Sequence, residues 1–254
     1  MDLGLYGKRA FIGGASRGIG LAIARALLAE GADVALAARG KERLDQARAE
    51  LAAAFPDCTV VAVPADLTDE REARGCVASA AAALGGLDVA IANAGGARGA
   101  AEVDVDTQQW RELWDQNFTS AALVCQAAAA VMSSGALCLI GSISGLESHR
   151  APLPYNAAKA ALVRYSADLA RLLAPRAIRV NIIVPGNVLH ADAVWREMLD
   201  ADPEGVEAHI RREVPLARFG TPAEIAACVA FLCSAQAAFV TGACLVVDGG
   251  QVRA

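Results

Sequence analysis

Short apolar runs and longer stretches of helical periodicity take turns along this chain. Residues 9–12 form a compact apolar run, after which Ile19, Ala22, Ile23, Ala26 and Leu27 recur at helical spacing up to Glu30-Gly31. The same order then repeats, with strands predicted at 33–38, 59–63 and 89–92 and helices at 41–55 and 70–84. A fifth strand is predicted at 136–140. Such alternation predicts an α/β fold: a doubly wound, Rossmann-like parallel sheet with helices on both faces. Ligands of these sheets sit beyond the carboxyl ends of the strands, so Asp66, Asn93 and Gly95 fall on the expected rim.

Composition agrees with a sheet covered on both sides, since 55% of the residues are hydrophobic and 20% charged. A length of 254 residues suits one large α/β unit as well as two small domains; the unbroken alternation favours a single dinucleotide-binding catalytic domain over 1–254. No apolar run is long enough to span a bilayer, and residues 1–8 lack the charged start and apolar core of a secretory signal, so a cytoplasmic protein is expected. A net charge of -5, with no basic cluster longer than Arg211-Arg212, argues against a nucleic-acid partner or a polybasic membrane anchor. Of the seven cysteines, Cys125, Cys138, Cys228, Cys233 and Cys244 lie in apolar stretches and read as small buried hydrophobes. No pair has C-x-x-C spacing and His149, His190 and His209 are distant in sequence, so no metal site is expected.

The first strand runs directly into Gly13-Gly14-Ala15-Ser16-Arg17-Gly18-Ile19-Gly20 and then into a helix. A loop so placed can bend sharply, bring its backbone close to a pyrophosphate and offer it the helix N-terminal amides. After the second strand, Ala38-Arg39 stands where a carboxylate would accept the ribose 2'-hydroxyl of NAD. A guanidinium there, with Arg17 as a second cation, suits the 2'-phosphate of NADP, which makes NADP(H) the expected cofactor over NAD(H).

Tyr155 and Lys159 are four apart, so on a helix their side chains leave one face. A phenol of pKa ~10 is a poor proton donor at neutral pH, but an ammonium roughly 5 Å away at an effective dielectric of about 20 is worth about 3 kcal/mol, or about two pKa units. Upstream, Ser142 follows the fifth strand, where a hydroxyl can donate to a carbonyl oxygen as it becomes an alkoxide. Asp106 and Gln109 have capping-box spacing, and the helix they open carries Trp110, Leu113, Trp114 and Asn117. Asparagine is unwelcome inside a helix. Asn117 is either an exposed polar position or an amide that holds a water or bends the helix near the tyrosine.

These residues together resemble the short-chain dehydrogenase/reductase family over essentially the whole chain. The resemblance rests on Gly14-x-x-x-Gly18-x-Gly20, Asp66-Leu67, Asn93-Ala94-Gly95, Asn117, Ser142, Tyr155-x-x-x-Lys159, Pro185-Gly186 and 246–250. It implies a catalytic tetrad of Asn117, Ser142, Tyr155 and Lys159, in which Ser142 polarises the carbonyl, Tyr155 gives the proton, Lys159 lowers the phenol's pKa and Asn117 supports a water relay. It implies cofactor contacts at Gly14, Ser16, Arg17, Gly18, Ile19, Gly20, Arg39, Asp66, Leu67, Asn93, Ala94, Gly95, Tyr155, Lys159, Pro185, Gly186 and Val188. The function it implies is hydride transfer between the nicotinamide and a ketone or secondary alcohol.

The chain departs from the family pattern at three places. Gly13 replaces a threonine that ties the glycine loop to its neighbour strand, which implies a looser loop; Ala92 replaces an asparagine; and His190 stands where many members hold the nicotinamide amide with a threonine. His190 either replaces that hydroxyl or starts the next loop. Residues 187–215 carry Val194, Trp195, Met198, Leu199 and Val206 among acidic residues, which predicts a helix that covers the cofactor as a lid or forms a subunit contact. A 3-oxoacyl carrier-protein reductase is the alternative reading, but 127–135 lacks any cation for an acidic carrier. A silent cofactor-sensing regulator is disfavoured because tyrosine and lysine are both present. Small-residue faces at 121–130 and on the helix after Tyr155 fit a homo-oligomer, dimer or tetramer.

Overall fold

The computed structural model describes residues 2–99 and 101–253. Its centre is a parallel sheet of seven strands in the order β3-β2-β1-β4-β5-β6-β7. The strands are β1 (Arg9–Gly13), β2 (Asp33–Ala38), β3 (Val60–Pro64), β4 (Val89–Ala92), β5 (Gly135–Ile140), β6 (Ile178–Pro185) and β7 (Cys244–Val247). The first five coincide with the predicted apolar runs to within a residue. Their side chains alternate between two apolar layers. Phe11, Ala35 and Ala37 face one, with α3 (Glu70–Leu84), α5 (Ser120–Val131) and α6 (Leu153–Leu173); Ile12, Val34 and Leu36 face the other, with α1 (Gly18–Ala29), α2 (Lys41–Ala54) and α9 (Pro222–Cys233). Helices on both faces are what a parallel sheet of buried strands requires.

β1 pairs with β2 on one side and with β4 on the other, so the chain winds outward in opposite senses from β1. The loops leaving β1 and β4 therefore diverge and open a crevice at their carboxyl ends. Between β4 and β5 runs one helical rod: α4 (Thr107–Trp114), a π-helical turn at Asp115–Thr119, and α5. Asp106 caps α4 by accepting from the Gln108 and Gln109 amides, each at 2.9 Å. The reciprocal bond from the Gln109 side chain is not formed among the described residues. After β6 come two further helices, α7 (Val194–Ala201) and α8 (Pro203–Glu213), which share a small apolar cluster of Val206, Ile210 and Val214 with Trp195, Leu199 and Phe219.

The cysteines divide. Cys125, Cys138 and Cys233 are buried as expected, but Cys228 is only part-buried and Cys244 is exposed. The reason for Cys244 is position: β7 is an edge strand, so an apolar sequence there does not ensure burial. No described helix is long and apolar enough to cross a membrane.

Candidate active site

The carboxyl ends of the strands open onto one cavity of about 830 Å³. From the loop after β1 it is lined by Gly14, Ser16, Arg17, Gly18 and Ile19; from β2 by Arg39; from β3 by Asp66 and Leu67; from β4 by Asn93, Ala94 and Gly95; and from β6 by Pro185, Gly186 and Val188. Asn117, Ser142, Tyr155 and Lys159 line it too. Of the tetrad and cofactor-contact residues that the resemblance implies, Gly20 alone does not line the cavity. It lies beneath the loop, where a β-carbon would collide with the Gly14 carbonyl and come within 2.6 Å of Asn93 Nδ2. Its role there is close packing of α1 under the loop.

One end of the cavity is built for anions. Arg17 precedes α1 without making a side-chain cap, so the first amides of the helix face the cavity at the positive end of its dipole. Arg17, Arg39 and Arg43 line the same end. Arg43 has no sequence signal beyond an ordinary charge on a helix. Asp192, also without one, places its Oδ1 2.8 Å from Arg43 Nη2 and 3.4 Å from Arg17 Nη1. The hydrogen bond from Arg43 and the charge of both guanidiniums hold this carboxyl below its usual range. The His190 ring lies over the loop, 3.0 Å from where a β-carbon on Gly18 would stand, and its Nδ1 is buried without a partner. His190 is therefore part of the cavity wall. These residues fit a dinucleotide: uncapped helix amides and three guanidiniums line the end of the cavity that suits its phosphates.

At the other end, Tyr155 and Lys159 share one face of α6, with Lys159 Nζ 5.8 Å from the centre of the phenol ring. Lys159 is 4% exposed and donates to the Ile140 carbonyl at the end of β5 over 2.9 Å. Burial lowers its pKa from 10.5 to about 8, which leaves it cationic at neutral pH. Tyr155 departs from expectation. Burial pushes its phenol above the ordinary value, and interaction with Ser142 pulls it only part of the way back. The expected lowering by Lys159 is not what the geometry delivers, because Nζ is turned to the Ile140 carbonyl and lies beside the ring, without a hydrogen bond to the phenol oxygen.

Ser142 caps the short turn Ile143–Gly145 and its Oγ accepts from the Ser144 amide at 3.2 Å, so its own proton is left to donate. Asn117 is 0% exposed, which rules out the exposed polar position. Its Nδ2 donates to the Gly96 and Leu113 carbonyls, each over 2.9 Å, and its Oδ1 accepts from the Gly96 amide at 3.1 Å. The Leu113 carbonyl is the one a regular α-helix would offer to the Asn117 amide. The side chain takes it where the rod widens into the π-turn, and so fastens the rod to the loop after β4.

A family model described as enoyl-(acyl carrier protein) reductase matches residues 14–251. A 2-(S)-hydroxypropyl-CoM dehydrogenase of Xanthobacter autotrophicus is 38% identical over 248 residues, 94% of this chain and 94% of that protein. A 3-oxoacyl-(acyl-carrier-protein) reductase of Staphylococcus aureus is 33% identical over 248 residues, 96% of this chain and 98% of that one. Among solved structures, L-sorbose reductase of Gluconobacter frateurii, complexed with NADPH and L-sorbose, superposes with a TM-score of 0.93 at 31% identity, covering 100% of both chains. The chain belongs to the short-chain dehydrogenase/reductase family.

It is thus an oxidoreductase of that family, and its departures from the family pattern now have physical readings. Gly13 lacks a threonine hydroxyl, yet the loop is tied: Asn93 Nδ2 donates to the Gly13 and Gly14 carbonyls over 3.2 and 3.1 Å. A larger residue at Gly13 would press on Leu67, whose Cδ1 is 3.0 Å from the β-carbon position. Ala92 is buried in β4 and leaves its strand pairing intact. In this short-chain dehydrogenase/reductase the segment after β6 closes one side of the cavity through His190, Asp192, Ala193, Val194 and Trp195. Glu197 of α7 reaches across to Arg98, in the loop after β4, at 2.6 Å.

Proposed function

We propose that this protein is an NADP(H)-dependent oxidoreductase that reduces a free small-molecule ketone to a secondary alcohol, with Tyr155 as the acid. The nicotinamide, when bound, supplies the hydride. Ser142 donates a hydrogen bond to the carbonyl oxygen and Tyr155 delivers its proton to the same atom as negative charge develops. Lys159 and Asn117 position these groups, the first from 5.8 Å off the centre of the phenol ring and the second by fastening the π-turn to Gly96. The observation that carries this reading is geometric: Ser142, Tyr155 and Lys159 line one cavity with the cofactor-contact residues, the buried Lys159 ammonium 5.8 Å from the centre of the phenol ring. Reduction is supported by the similar L-sorbose reductase and 3-oxoacyl-(acyl-carrier-protein) reductase. NADP(H) is supported by Arg17, Arg39 and Arg43 in the cavity wall, by the lack of a carboxylate at the end of β2, and by the NADPH held in the similar L-sorbose reductase.

Residues 187–215 act as a lid over the substrate end, supported by Val194 and Trp195 in the cavity wall and by the Arg98–Glu197 ion pair across its mouth. We place the enzyme in the cytoplasm as a homo-oligomer within a single-domain chain; a light-scattering mass of one 26.1 kDa chain would count against assembly. Reduction of an acyl-carrier-protein thioester is the second reading, favoured by the Staphylococcus relative. Two measurements test the proposal: NADPH and NADH titrations followed by fluorescence, and initial rates with acetoacetyl thioesters against a panel of free ketones. Tighter NADPH binding and faster turnover of a free ketone are expected. Preference for NADH, or for the thioester, contradicts the corresponding half.

A further inference from the structure

Two of the three guanidiniums at the anion-binding end are engaged by a carboxylate of the protein itself. Both contacts fall on one oxygen of Asp192, 2.8 Å from Arg43 and 3.4 Å from Arg17, and neither is a two-pronged fork. All three side chains are part-exposed, at 25% for Asp192, 47% for Arg17 and 56% for Arg43, so the pairing is readily exchanged. Arg39 makes no ion pair among the described residues. A phosphate monoester carries close to two charges and three strong acceptor oxygens, and it binds guanidinium more strongly than one carboxylate oxygen does.

We infer that Asp192 is an internal competitor for the cofactor's 2'-phosphate, occupying Arg17 and Arg43 until that phosphate takes them. The inference rests on the NADP(H) reading above and goes beyond it. Asp192 weakens every 2'-phosphorylated ligand by the work of breaking its own pairings, and leaves ligands without that phosphate unaffected. Asp192 also belongs to the segment that walls the cavity, between His190, packed on Gly18, and the lining residues Ala193 to Trp195. Arrival of the phosphate therefore removes the two ion pairs that tie this segment to Arg17 and Arg43, while the packing of His190 on Gly18 remains.

Calorimetric titration of the full chain with 2',5'-ADP, which has the 2'-phosphate, and 5'-AMP, which lacks it, reads this competition without turnover. Asp192→Asn should bind 2',5'-ADP about fivefold more tightly than wild type and 5'-AMP within about twofold of it. In an Arg43→Gln background the gain should fall below about twofold, because a contested guanidinium is gone. Asp192→Glu, which keeps the charge, should bind both as wild type does. Equal tightening of both nucleotides in Asp192→Asn, no tightening, or a gain in Asp192→Glu overturns the inference. NADPH titration of the wild type separates the two failures. No NADPH binding sinks the cofactor reading itself, whereas normal NADPH binding with an indifferent Asp192→Asn sinks only the competitor.

Discussion

Lys159 is a cation in a place that resists charge. Its ammonium is nearly sealed from solvent and has one hydrogen bond, to the Ile140 carbonyl, so the folded protein holds its proton with a pKa of about 8 where 10.5 is ordinary. Between those values the unfolded chain keeps a proton that the folded chain has lost, and this group adds stability as pH rises through that window. Below about pH 8 its full cost is present, about 3 kcal/mol. Replacing it by methionine removes that cost and forfeits a hydrogen bond worth about 1 kcal/mol, a net gain of about 2 kcal/mol at pH 7. Lys159→Met should therefore melt about 4 °C above wild type at pH 7 while turning over poorly, and the advantage should shrink from about pH 8, vanish near about pH 10 and reverse slightly above it. Taking the difference between the two proteins isolates Lys159 from the buried thiols and phenols that titrate in the same range. A melting point below wild type at pH 7 would show that the lysine stabilises the fold.

The catalytic groups are held by how helices meet strand ends. The turn Ile143–Gly145, capped by Ser142, lies directly on α6: a β-carbon on Gly145 would stand 2.6 Å from the Lys159 carbonyl oxygen. Gly145→Ala must push that turn away from the helix, at an overpacking cost of about 1–3 kcal/mol. Because the turn carries Ser142, we expect kcat to fall at least about tenfold while the NADPH Kd changes less than about twofold. Unchanged kcat would mean that Ser142 does not need this seat. Elements of this kind differ in how far the sequence reveals them. Strands β1 to β5 are legible because parallel strands buried on both faces leave unbroken apolar runs. The π-turn is not, since Asn117 signals only an unwelcome residue and not which carbonyl it will take. Arg43 and Asp192 are 149 positions apart, and no local spacing announces that two loop and helix charges will share one phosphate-sized space. The phenol's direction of shift was equally hidden, because four-residue spacing puts Lys159 near Tyr155 without saying that its Nζ turns to Ile140.

Across the molecule, the sheet's change of winding direction at β1 makes one cavity in which anion-binding and proton-donating groups occupy opposite ends. The first end uses helix amides and guanidiniums, the second a half-buried serine and tyrosine beside a buried lysine. Binding and chemistry should therefore be separable by a single atom. The most direct test is Tyr155→Phe, assayed with the ketone that wild type reduces fastest, alongside NADPH titration of the same preparation. A loss of at least about a thousandfold in kcat is expected, with the NADPH Kd within about threefold of wild type. A variant that keeps more than a tenth of wild-type turnover, or one that no longer binds NADPH, would contradict this expectation.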